Sequence, residues 1–253
     1  MTDWSPLVPR QEDWQDLQKH DLRFTSVLTV VRSRYEQADD PGHDWLHVIR
    51  VLRSCLYIGA LVGADRKILA PSALLHDWVN VPKNSPKRLE ASRASAAASV
   101  EILRDAGYDD LEVQCIQSVI IEHSYSLGCP PSSIESAVLQ DADRLDALGA
   151  IGIFRAATCG CRLGASYYHL QDPFATHRVT DDSRYTVDHF FTKLLDLGNQ
   201  MNTAPARAIA QHRLAFIHTF LSELQLEIGE NPEEITLKNI GENENARHRR
   251  LCF

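Results

Sequence analysis

The stretch ALLHDWV, residues 73–79, sets a histidine and an aspartate, His76 and Asp77, inside a run otherwise apolar enough to be buried. An unpaired charge in such surroundings costs on the order of several kcal/mol, so Asp77 requires a cation or a hydrogen-bond network as its partner. Imidazole plus carboxylate is a donor set for Mn, Fe, Co, Ni or Zn and, less well, Mg. Two further stretches carry groups of the same kind. His47 lies in GHDWLHVIRV (42–51), and an acidic cluster lies in LQDADRLDALG (139–149). Taken singly these pieces carry little weight. A lone histidine on an apolar helical face is usually a packed core residue, and DxD on a helix is usually a solvated face. Taken together, in the order H…HD…D on helical segments, they point to one metal centre.

Apolar residues around all three stretches recur at helical rather than strand spacing, and the same holds along most of the chain, which predicts an all-α protein. The spacing predicts a helix over 22–35, a turn in QADDPG (37–42), and a helix over 44–60 with Leu46, Ile49, Leu52 and Leu56 as its core face. Pro71 suits the first position of a helix over 71–78. A loop, VPKNSP (81–86), leads to an alanine-rich helix over 88–106 that stops at Gly107. A helix over 111–124 sets Val113, Ile116, Ile120 and His123 on one face, and another runs over 134–148. Residues 160–178 read as irregular, and helices over 185–197 and 205–228 follow. The expected organisation is one helical domain over 21–228. A short extension, 1–20, precedes it, and a polar segment, 229–253, rich in Glu, Asn and Arg and expected to be mobile, follows.

Hydrophobic residues make up 44% of the 253 and charged residues 24%, the balance of an ordinary globular protein. No stretch has the roughly 18–20 uninterrupted apolar residues of a membrane span, and the opening residues lack a basic region followed by an apolar run. Six scattered cysteines suit a reducing compartment rather than a disulfide scaffold. Cytoplasm is therefore the expected location. A net charge of −8 offers no long-range attraction to nucleic acid or anionic membrane. A small anion is compatible with it, because a bound cation and a few local Lys and Arg can accommodate phosphate.

With these strings in view, the chain resembles the HD superfamily of metal-dependent phosphohydrolases, and within it a branch of small stand-alone proteins. The matching strings are HDWLHVIRV (43–51), LLHDWVNVPKNSPKR (74–88), EHSYS (122–126), LQDADRLDALGAIGIFRA (139–156), DPFATHR (172–178) and DDSRYTVDHFFTKLL (181–195). The resemblance implies an HD-type helical bundle with His47, His76, Asp77 and Asp143 as metal ligands. The fourth ligand is the one on which geometry and resemblance differ. Asp141 and Asp143 are about 200° apart on a regular helix and cannot both face one ion. The stripe Ile134, Val138, Asp141, Leu145, Leu148 sets Asp141 on the apolar face. The family pattern instead takes the aspartate before the basic residue, Asp143 before Arg144. Asp141 is then expected to orient water, substrate or a ligand, and Asp146 to be an exposed or capping carboxylate.

Other groups could handle an anionic substrate. His123 could donate a proton to the leaving group, bind phosphate, hold a second metal, or be no more than a packed core histidine. Lys83, Asn84 and Arg88 follow the HD pair on a loop that enters a helix, a setting suited to phosphate oxygens. Arg184 and Lys193 are further substrate-binding candidates in the matched strings, where His43, Arg144 and Arg178 also recur. No GxSxG elbow, P-loop or HExxH is present. The resulting expectation is hydrolysis of a phosphoester or phosphoanhydride, with Mn²⁺ or Mg²⁺ first among the metals. The substrate expected is a small phosphorylated molecule, a nucleotide: a nucleoside triphosphate cut to monophosphate and pyrophosphate, or a nucleoside monophosphate. The rival readings are a non-catalytic metal- or nucleotide-binding module and an HD-type di-iron oxygenase.

Overall fold

The computed structural model of the chain describes residues 12–35, 44–79, 81 and 89–229. His43, Lys83, Asn84, Arg88 and the polar segment from 230 onward lie outside the described residues. Those described are helical and carry no strand; a single parallel bridge joins Ser166 and Tyr185. The all-α reading holds. The helices are α1 (Glu12–His20), α2 (Leu22–Tyr35), α3 (Trp45–Val62), α4 (Arg66–Leu75), α5 (Ala91–Asp105), α6 (Asp110–Glu122), α7 (Ile134–Asp146) and α8 (Gly149–Leu163). A π-helical turn, Phe190–Leu194, then leads into the short α9 (Leu195–Leu197), and α10 spans Ala204–Ile228. Two compact units can be distinguished. Among the described residues, one comprises those up to Asp143 together with Asn202–Ala206, and the other comprises Arg144–Met201 and residues 207–229.

In the first unit α4 is the central element and packs against α2, α3, α5 and α6. Every residue from Leu69 to Leu75 is buried. Asp65 starts this helix by accepting a hydrogen bond from the Lys67 N–H, a side-chain cap. Pro71 therefore falls inside the helix rather than at its head. The ring removes one helical hydrogen bond, and burial against four neighbouring helices offsets that loss. Helix α3 is capped by Asp44, whose carboxylate accepts from the His47 N–H at 2.8 Å, and it ends at Gly63 in the left-handed region. Its buried face is His47, Val48, Val51, Leu52, Cys55 and Ile58. That face is rotated from the expected one: Leu46 is 60% exposed. The cap fixes the helix start, and His47 at the third helical position then points inward in phase with Val51 and Ser54. By length and composition α3 would pass for a membrane span, but its apolar side is spent on this core. Helix α6 opens with a reciprocal capping box between Asp109 and Glu112 and ends at His123.

The second unit begins with the end of α7. Gly149, at φ 71°, breaks the chain there and lets α8 start in a new direction. Helix α8 continues to Leu163, into the stretch 160–178 that reads as irregular from the sequence. The segment after it is held by a buried ion pair. Arg178 donates to both oxygens of Asp188 at 2.6 Å each, and the Asp181 N–H donates to the same carboxylate at 2.6 Å. Helical structure resumes only at Asp188, and it does so through the π-helical turn. Asp146 is neither exposed nor a cap: it is buried and paired with Arg155 at 2.6 Å.

Gly160 in α8 tests this packing. A Cβ added there would lie 2.1 Å from Thr186 Oγ1, so Gly160→Ala must displace a buried residue. The expected loss is about 1–3 kcal/mol, as for other overpacked cores. It should be partly recovered in Gly160→Ala/Thr186→Ala. Denaturant midpoints of the wild type and the two variants check this, and an undiminished midpoint for Gly160→Ala contradicts the packing described.

Candidate metal centre

Four elements of the first unit each send a donor to one place. His47 comes from the first turn of α3, His76 and Asp77 follow the end of α4, His123 caps the end of α6, and Asp143 comes from α7. His47 Nε2 and His76 Nε2 are 3.2 Å apart. Asp77 Oδ2 lies 3.7 Å from His47 Nε2 and 3.6 Å from His76 Nε2, while its other oxygen lies 3.6 Å from His123 Nε2. Asp143 Oδ1 is 3.7 Å from His47 Nε2. Two sets of donors, His47–His76–Asp143 and His76–Asp77–His123, each have all their ligand atoms within 4.8 Å of one another. The two sets share His76. Metal–ligand bonds of about 2.0–2.2 Å put neighbouring donors around one ion about 3–3.6 Å apart, so the spacing fits a cation of this size.

The orientation of the rings fits as well. His76 Nδ1 lies 2.8 Å from the Ala73 carbonyl and His123 Nδ1 lies 2.5 Å from the Ile120 carbonyl. A carbonyl only accepts, so both Nδ1 atoms carry a proton and both Nε2 atoms are turned to the cluster, where the neutral His76 presents a lone pair and His123 can carry a second proton toward Asp77. Each contact is between a residue at or past a helix end and the carbonyl three positions back, one of the groups that a helix terminus leaves without a backbone partner. The helix ends thus set the tautomers.

Burial pushes the His76 imidazole down to about 4, against the opposing pull of Asp77, so this ring is neutral at pH 7. At His123 burial also acts downward, but the hydrogen bond and charge of Asp77 outweigh it and the net shift is upward. At Asp143 burial opposes ionisation, and the neighbouring His47 and His76 more than compensate, holding the carboxyl below its ordinary range. Two carboxylates facing a neutral buried imidazole favour a cation.

Asp141 does not join the cluster. It is fully buried, and its carboxylate is turned to the chain just before α10. Oδ1 accepts from the Asn202 N–H at 2.7 Å and from Asn202 Nδ2 at 3.0 Å; Oδ2 accepts from the Thr203 N–H and hydroxyl at 2.8 Å each. The half-turn between Asp141 and Asp143 therefore separates two duties. Asp143 faces the imidazoles, and Asp141 fastens the start of α10. The expectation that Asp141 orients water or substrate is replaced by this anchoring role.

The remaining candidates divide by location. Arg184 and Lys193 belong to the second unit. Arg184 is exposed, with its guanidinium 5.4 Å from the centre of the Tyr185 ring, and Lys193 is half-buried in the π-helical turn. Arg144 donates to the Gln200 carbonyl at 2.6 Å and Arg178 is engaged with Asp188. One residue escaped the sequence reading. Gln140 Nε2 donates to the carbonyls of Glu122, at 2.8 Å, and Cys129, at 3.0 Å, and so steadies the end of α6 next to His123. Its only signal was a polar residue inside an apolar stripe.

Two measurements follow from this geometry. Asp143→Asn should lose metal, because an amide oxygen is a poorer ligand than a carboxylate. Asp141→Asn should keep metal while losing about 1–3 kcal/mol of stability through its buried hydrogen bonds. Metal analysis and denaturation of both variants decide it; a metal-free Asp141→Asn beside a metal-loaded Asp143→Asn contradicts the assignment. The second concerns pH. A folded-state value for His76 below the unfolded 6.5 means the unfolded chain binds the proton more readily, so this contribution is present above 6.5 and lost as pH falls toward 4. In chelator-treated protein the stability loss over that window should be steeper for wild type than for His76→Leu. Equal slopes contradict it.

Comparison with known proteins agrees with this architecture. The HD domain family model matches residues 45–148, the span that contains all five clustered residues. YpgQ of Bacillus subtilis is 33% identical over 192 residues, covering 75% of this chain and 86% of that protein. The crystal structure of YpgQ in complex with ADP superposes with a TM-score of 0.65 at 33% identity, over 82% of this chain and 95% of YpgQ. An HD-superfamily hydrolase from Bacillus thuringiensis, 28% identical, gives a TM-score of 0.62 over 81% of this chain and 96% of its own. With the H…HD…D donors gathered on this helical scaffold, the chain belongs to the HD superfamily of metal-dependent phosphohydrolases.

Proposed function

We propose that this protein hydrolyses a nucleotide, with a nucleoside triphosphate cut to monophosphate and pyrophosphate as the first reading and a nucleoside monophosphatase as the second. The observation that carries the reading is the convergence of His47, His76, Asp77 and Asp143, whose nitrogens and oxygens lie 3.2–3.7 Å apart. The complex of YpgQ with ADP supports a nucleotide as the ligand. Those four residues would hold the divalent cation, Mn²⁺ or Mg²⁺, which when bound lowers the pKa of water and neutralises phosphoryl charge.

The chain's own groups do the rest. Phosphoryl transfer asks mainly for positioning and charge neutralisation. His123, with its Nε2 3.6 Å from Asp77 Oδ1, is in reach of the same centre and is assigned the proton donated to the leaving oxygen. Asp77 contacts this imidazole and orients it. Lys83, Asn84 and Arg88 are assigned to phosphate oxygens, for which cationic and amide donors are suited, and Arg184 and Lys193 are candidates for the same role on their chemistry alone. Hydrolysis is preferred over an oxygenase because an HD-superfamily hydrolase of similar fold covers nearly its whole length on this chain.

A specific observation favours a second role for His123: with His76 and Asp77 it forms a donor triad of its own. His123→Gln separates the two. As proton donor, its loss lowers kcat by about 10²–10⁴-fold at unchanged metal content; as a ligand, its loss lowers the metal content. A panel of nucleoside mono-, di- and triphosphates with Mn²⁺ tests the substrate. Pyrophosphate release from triphosphates is expected. Absence of both phosphate and pyrophosphate release from every member, with metal bound, contradicts the proposal.

A further inference from the structure

His76 and Asp77 lie beyond the last residue of α4, and the helix does not fix the backbone that carries them. Leu75 ends the helix, and the chain from His76 to Val79 turns away. Helix termini leave their last carbonyls without backbone partners, so side chains must take them. Here one contact does so, and two more hold the chain beyond the helix end. His76 Nδ1 lies 2.8 Å from the Ala73 carbonyl, the Tyr35 hydroxyl donates to the Asp77 carbonyl at 2.9 Å, and the Val79 N–H donates to Ser95 Oγ at 2.9 Å. The same end of α2 holds the next residue too, because the Arg34 guanidinium lies 4.2 Å from the centre of the Trp78 ring. Tyr35 is 9% exposed and Ser95 is fully buried.

We propose that Tyr35 is a positioning residue of the metal centre: its hydroxyl, by fixing the main-chain carbonyl of Asp77, sets where the Asp77 carboxylate meets the imidazoles. An aspartate side chain has two rotatable bonds, so the location of its oxygens follows its backbone closely. Asp77 uses both oxygens within the cluster, Oδ2 toward His47 and His76 and Oδ1 toward His123. A shift of the Asp77 backbone therefore alters three donor–donor distances together. Tyr35 is separated from Asp77 by 42 positions in the sequence, and no local pattern links the two. This inference rests on the metal-binding reading of the cluster.

Tyr35→Phe keeps the ring and its packing and removes the single hydroxyl. Calorimetric titration of the full chain with Mn²⁺ alone is the test. Residues that orient metal ligands typically change affinity by about 10–100-fold. A rise in Kd of about tenfold is expected for Tyr35→Phe, with the Mn²⁺ concentration for half-maximal hydrolysis rising in step and the nucleotide KM unchanged. Ser99→Ala is the control. It removes a fully buried hydroxyl that donates to the Ala96 carbonyl at 2.8 Å within α5. Both variants should lower the denaturation midpoint, but only Tyr35→Phe should change Mn²⁺ affinity, a readout that a merely structural hydroxyl leaves alone. Wild-type binding with a Tyr35→Phe Kd within twofold of it overturns this inference alone. A wild type that binds no Mn²⁺ overturns the metal reading and this one with it.

Discussion

Two carboxylates and three imidazoles share a volume in which neighbouring donor atoms approach to 3.2–3.7 Å. The histidines are almost fully buried, and the side chains of Asp77 and Asp143 are 23% and 25% exposed. The charge of Asp77 pushes against ionisation of Asp143, and burial carries its own desolvation cost. The arrangement becomes favourable when a cation occupies the middle. The helices around it are organised to tolerate that demand. Each brings one ligand, or one adjacent pair, at an end or on a buried face, and carbonyls at the helix ends orient two of the three rings.

This explains why α4 is central. It is short, carries a proline, and would be a poor helix alone. Packing on four neighbours holds it, and the turn after it carries His76 and Asp77 to the point where α3, α6 and α7 also present donors. Rigidity at that point depends on residues that touch no ligand atom. Tyr35 and Ser95 hold the turn after α4, Gln140 holds the end of α6, and Asp141 fastens the start of α10. Ligand geometry of this kind is maintained by such neighbours as much as by the ligands.

The all-α class and the ordered donors were legible in the sequence, because helical periodicity and a buried His-Asp pair are local signals. The rotation of α3 was not: the apolar stripe through Leu46 competed with one through His47, and the Asp44 cap decided between them. Pro71 misled for a similar reason, since burial on four sides outweighed its local preference for a helix start. Asp141 and Asp143 were correctly separated by helix geometry, but the apolar side carried a different meaning. The more buried aspartate is the one whose oxygens are consumed by Asn202 and Thr203, while Asp143, turned toward the imidazoles, keeps partial exposure. Contacts such as Tyr35 to Asp77 join distant positions and leave no periodic trace.

The central claim is that one divalent cation completes this cluster. It is tested most directly by measuring metal content and melting temperature of the full chain with Mn²⁺ and after chelation. At a hundred to a thousand times its dissociation constant a ligand specific to the native state stabilises by about 3–4 kcal/mol, so bound Mn²⁺ should be found in the loaded protein and the melting temperature should fall on its removal. A chelated protein with the same melting temperature, beside an untreated one that contains no metal, contradicts the account.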